Sequence, residues 1–160
     1  MRIKIIRNYK GFTLLEVILV LVFISIFATI AVLRQPVPEV TIRSASQVLI
    51  SHIRYAQMRA MNSADPWGVR YSDASGTYWL FRENIANRQV FPGATEDDIE
   101  LSADGVSITQ GDFTLSFDNW GVPAIADAGF TFSDGEATLT LSTSTQSGDV
   151  TVIENTGYAR

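Results

Sequence analysis

The chain has 160 residues, no cysteine and a single histidine, His52. Disulfides and thiolate metal sites are therefore excluded, as are most histidine-based catalytic or zinc constellations within one chain. The net charge of −5 hides a split: residues 1–10 carry four basic side chains and no acid, while residues 12–160 carry 8 arginines against 17 acids, a balance of −9. A body of that sign is a poor match for nucleic acid, whose phosphates need a basic footprint.

The first element follows the basic stretch Arg2, Lys4, Arg7, Lys10. From Phe12 to Leu33 the only ionisable side chain is Glu16. As a helix this run measures about 33 Å, enough to cross the roughly 30 Å hydrocarbon core of a bilayer. The basic flank predicts a cytoplasmic N-terminus, with the remainder on the other side of the membrane. Two ordinary readings compete. One is a cleaved secretory signal with Thr29-Ile30-Ala31 as its small-x-small site, although the apolar core is long for that role. The other is a plain signal anchor, in which Glu16 near the interface costs less than the ~2.5–3.5 kcal/mol an acid costs at mid-membrane.

The stretch Lys10-Gly11-Phe12-Thr13-Leu14-Leu15-Glu16 resembles the cleavage signal of type IV prepilins and pseudopilins. The resemblance implies cleavage by prepilin peptidase between Gly11 and Phe12, and N-methylation of Phe12. It implies that Glu16 is an assembly contact. Cleavage leaves a charged amine on Phe12, and in a staggered filament that amine can meet Glu16 of a neighbouring subunit, each charge offsetting the desolvation of the other.

Pro36 and Pro38 remove backbone donors and disfavour helix in the residues before them, so a break or kink is expected at 34–39. From 40 to 62 the apolar positions Ile42, Ala45, Leu49, Ile53, Ala56 and Ala60 recur at helical spacing, with Val48 widening the face. Pro66 closes the segment. His52 lies near the apolar face and reads as a partly buried packing residue. Arg43, Arg54 and Arg59 read as a solvated or locally paired face, with partner contacts as the alternative.

Beyond Pro66 short alternating runs predict strands at 67–72, 77–83, 106–109, 113–118, 130–133, 137–142 and 149–154. Turns are expected at 72–76, 133–135 and 146–148, with 142–147 as a surface loop. The helix face and the strand faces both need covering. One helix laid across an antiparallel sheet satisfies both, an α+β domain. The passage from His52 to Met61 and on to Trp67-Gly68-Val69 resembles GspH/FimT-type minor pilins and pseudopilins, as do Phe117–Pro123 and the ending Val150–Ile153 with Thr156-Gly157-Tyr158. This implies a pilin-like fold: a long N-terminal helix, membrane-spanning in its first half and amphipathic in its second, packed on the sheet domain. The implied domains are a leader at 1–11, a transmembrane and filament-core helix at 12–33, and a periplasmic α+β domain at 34–160, with its helix at about 40–62 and its strands within 67–156.

No nucleophile–base pairing, glycine-rich phosphate loop or metal-spaced cluster is evident, and no enzyme or cofactor is expected. Glu96, Asp97, Asp98 and Glu100 form a weak calcium candidate, with a solvated acidic loop as the better reading. Gly157-Tyr158-Ala159-Arg160 stands where some FimT-type pilins carry a Gly-Arg-x-Arg DNA-binding pattern, leaving Arg160 as a low-ranked DNA contact. Trp67, Trp79 and Trp120 raise sugar binding, but Trp79, between Tyr78 and Leu80, reads as packing. The expectation is a structural minor pilin or pseudopilin of a type IV pilus or type II secretion system, anchored in the bacterial inner membrane. Its expected partners are prepilin peptidase, other pilin-like subunits and the inner-membrane assembly platform. The alternatives are a DNA-binding minor pilin for transformation and a plain membrane-anchored periplasmic domain.

Overall fold

The computed structural model describes residues 13–33, 38–127 and 129–160, with side chains omitted at 29–33 and 38–40. The chain divides into two compact units, Met1–Pro36 and Val37–Arg160.

In the first unit α1 runs from Leu14 to Leu33. Its described side chains, 14–28, are exposed on every face. A helix apolar all round has no inward face to bury in a small soluble domain. Over the residues whose side chains are described, no helix is long and apolar enough to cross a membrane. The α1 backbone continues to Leu33, 20 residues or about 30 Å of helix.

The second unit opens with α2, Pro38–Met61. The helix begins two residues earlier than the periodicity suggests because Pro38 is its first residue, where a missing N–H costs nothing and the fixed φ suits the helix. Of the break expected at 34–39, residues 34–37 lie outside the described ones. Ile42, Leu49, Ile53, Ala56 and Ala60 are buried as the spacing predicts. Burying each large aliphatic side chain among them contributes about 1.5–3 kcal/mol. Val48 does not widen the face: it is 42% exposed, and Ile50 is buried in its place.

Among the described residues nine strands follow: β1 Trp67–Ser72, β2 Thr77–Arg82, β3 Asn84–Gln89, β4 Asp98–Glu100, β5 Ser107–Ile108, β6 Phe113–Phe117, β7 Pro123–Ile125, β8 Glu136–Ser142 and β9 Ser147–Ile153. They form two antiparallel sheets rather than one. The larger has the order β3-β2-β1-β6-β7, with β4 also on β2, and the smaller has the order β5-β8-β9. The helix α2 packs against β1 and β6 of the first sheet and β8 and β9 of the second. One apolar helix face thus closes both sheets into a single core, an α+β arrangement consistent with a pilin-like fold. At the centre, Gly68 of β1 lies opposite Phe81 of β2, and the Phe81 ring covers its bare backbone.

Several strand boundaries differ from expectation. The 77–83 strand stops at Arg82 because Glu83 turns the chain with a φ of 67°. β3 is unexpected because its side chains are almost all exposed, Ile85 included, and show no alternation. β4 and β7 are also additions to the expected strands; each is only three residues long. No strand forms at 130–133. There Phe130 is buried from a loop, and Ser133 bridges Glu136 across the Asp134-Gly135 turn, where both φ values are positive. β9 starts at Ser147, two residues before the expected strand. The predicted loop thereby shrinks, and no turn forms at 147–148.

Candidate functional site

The described part of the N-terminal device is its first helical turn. The Thr13 carbonyl accepts from the amides of Glu16 (3.0 Å) and Val17 (3.2 Å), and Thr13 Oγ1 accepts from the Glu16 amide at 3.2 Å. Thr13 is thus the N-cap of α1, and Glu16 stands three residues on, the spacing of a capping box. The Glu16 carboxylate is exposed at the helix end whose dipole favours negative charge. The Thr-x-x-Glu spacing is the sequence signal for this cap, a second role for a stretch dominated by its resemblance to a cleavage site. Gly11 and Phe12 lie outside the described residues.

Of the acidic loop, Glu96 and Asp97 precede β4, and Asp98 and Glu100 lie on it. Asp98 lies 4.0 Å from Arg88, and Glu100 accepts the Ser102 hydroxyl at 2.9 Å. Among the described residues no three His, Asp or Glu side chains are grouped to hold a metal ion.

The C-terminal residues are tied back onto α2. Arg54 donates to the Ala159 carbonyl through Nε (3.0 Å) and Nη2 (2.8 Å), and its guanidinium sits 4.7 Å from the Tyr158 ring centre. Gln57 Nε2 donates to the carbonyls of Gly121 (3.0 Å) and Thr156 (2.6 Å). Arg160 pairs with Glu136 at 2.9 Å. Arg59 stacks on Trp67. Of the α2 arginines expected on a solvated or locally paired face, those at 54 and 59 are engaged by the domain's own aromatics and carbonyls.

His52 packs as expected. Its ring lies 3.9 Å from that of Phe91, nearly parallel, and Nδ1 is 2.9 Å from the Tyr78 hydroxyl. Burial holds the imidazole pKa below its ordinary value and pushes the Tyr78 phenol well above its own. Trp79 is buried, its indole N–H on the Ile85 carbonyl at 3.0 Å, whereas Trp120 is 80% exposed. Trp120 is presented by a rigid turn: Asp118 Oδ1 accepts from the Trp120 and Val122 amides at 2.9 and 2.8 Å.

Comparison with known proteins adds one match. The family described as the prokaryotic N-terminal methylation motif matches residues 6–32, and that motif is the signature of type IV pilin-like prepilins. The motif implies processing by a prepilin peptidase and assembly with other pilins, which points to a structural subunit. No curated protein and no solved structure matches the chain.

Proposed function

We propose that this chain is a structural minor pilin or pseudopilin of the GspH/FimT type. Prepilin peptidase cuts it after Gly11, and the new terminal amine on Phe12 is methylated. The α1 segment then holds it in the inner membrane, with the basic leader side cytoplasmic and the α+β domain periplasmic. From there it enters an envelope-spanning filament of a type IV pilus or a type II secretion system. The methylation motif at 6–32 carries this reading. It is supported by a predominantly apolar α1 sequence whose only ionisable residue is Glu16, in its first turn. An acid there is tolerated once it meets a cation, and the Phe12 amine of a neighbouring subunit supplies one.

Mass spectrometry of the mature protein tests the processing step. A chain beginning at N-methyl-Phe12 supports the reading, and one beginning at Met1 or Val32 overturns it. Assembly is tested with Glu16→Ala. The variant should be cleaved normally yet be depleted from filaments, and wild-type incorporation would remove Glu16 from its proposed role.

A further inference from the structure

The outer edge of β9 is half occupied. Thr151 exchanges both backbone hydrogen bonds with Arg160, each 2.9 Å, and the Ile153 amide donates to Tyr158. The C-terminal tail therefore runs as a short strand along the far half of β9. Backbone groups alternate sides along a strand, so Asp149 and Ser147 face the same way as Thr151. The β8 side agrees: Thr140, opposite Asp149, turns its carbonyl to Thr109 and its amide to Gln110, away from β9. Among the described residues nothing pairs with the outward N–H and C=O groups of Asp149 and Ser147.

That open half-edge borders a cleft of about 530 Å³ between β9 and the first half of α2. Ile42, Arg43, Ser46 and Gln47 form the helix wall, and Gly148 and Asp149 lie on the strand wall. Gly148 leaves this wall without a side chain, facing Ile42 and the Ser46 hydroxyl. That hydroxyl is buried and has no hydrogen-bond partner among the described residues, which in a native core calls for an explanation.

We propose that this cleft is a strand-addition site that receives an extended segment of a neighbouring filament subunit. Two donor–acceptor pairs spaced two residues apart, about 6.8 Å, match the backbone of another strand. A small polar ligand has no comparable repeat. The incoming segment lies in line with the Tyr158–Arg160 tail and continues its ladder, so the pairing surface is already begun by this chain. Left open, such an edge is prone to indiscriminate pairing. The proposal rests on the filament reading above.

The test compares amide hydrogen exchange in the mature full-length protein as a detergent monomer and in assemblies extracted from membranes. The Ser147 and Asp149 amides should slow by about tenfold or more on assembly, while the Thr151 amide, already bonded, changes little. Asp149→Pro deletes an outward N–H together with the carboxylate that accepts the Thr140 hydroxyl at 2.8 Å, and it leaves the β8–β9 backbone ladder intact. It should remain folded as a monomer, melting with Asp149→Ala, which loses the carboxylate alone, yet fail to be incorporated, whereas Asp149→Ala is incorporated normally. Unchanged exchange at 147 and 149 in the assembly, or normal incorporation of a folded Asp149→Pro, overturns the strand-addition site alone. If the wild-type chain enters no assembly, the filament reading falls and takes this proposal with it.

Discussion

The His52 imidazole is stacked on Phe91 while its Nδ1 meets the Tyr78 hydroxyl, joining the middle of α2 to β2 and to the loop beyond β3. Burial disfavours the imidazolium, so the folded pKa lies below the ordinary 6.5. The unfolded chain therefore takes up a proton at higher pH than the folded one. Stability is full above the unfolded pKa and falls as pH drops through 6.5 toward the lowered folded value. Melting temperatures between about pH 7.5 and about pH 5.5 should decline in the wild type, and the His52→Gln variant should show a flatter profile across that window. Identical slopes in the two proteins would remove His52 as the cause.

Gly68 is fixed by its neighbours. A Cβ there would collide with the Leu115 carbonyl oxygen and lie 2.5 Å from Phe81 Cζ. The ring can tilt, but the β6 backbone cannot move without breaking its pairing with β1. Gly68→Ala should cost about 1–3 kcal/mol in denaturant unfolding followed by tryptophan fluorescence.

Ile53 is fully buried where α2 meets the sheets. Ile53→Ala removes three carbons from that junction and should cost about 2–5 kcal/mol. Met58→Ala, on the same helix but half exposed, should change stability by less than about 0.5 kcal/mol. Equal losses in the two variants would contradict the burial of the Ile53 face of α2 against the sheets.

Arg54 holds the C-terminal tail through a two-pronged contact that lysine cannot reproduce. Arg54→Lys keeps the charge but should weaken the anchor by about 1 kcal/mol or more. Faster amide exchange at Thr151 and Ile153, with β1 and β2 unaffected, is the expected signature.

The N-terminal device was legible in the sequence because it is written locally. Gly11, Phe12 and Glu16 stand at fixed spacing beside one apolar run, and recognition of such a signal needs no tertiary fold. The buried face of α2 was legible for a similar reason, since helical periodicity reports which side must be covered. Strands β6 and β8 were legible because their apolar residues alternate with Thr and Ser, and β1 and β2 because each is a short run rich in aromatic and aliphatic residues bounded by turn residues. β3 was not, because a strand exposed on both sides shows no alternation, and β4 and β7 are too short to show any.

The division into two sheets, the tie between Arg54 and the tail, and the half-open edge of β9 were decided by tertiary structure alone. Each depends on groups distant in sequence, or on backbone donors that nearly every residue carries and no side-chain pattern reveals. The four carboxylates near residue 98 make the same point from the other direction. Adjacent in sequence, they form no group of three that could hold a metal ion among the described residues, and Asp98 and Glu100 lie beside Arg88 and Ser102 instead. Local spacing thus determined the processing signal and the α+β class, while long-range backbone pairing decided which surfaces this subunit closes and which it leaves open.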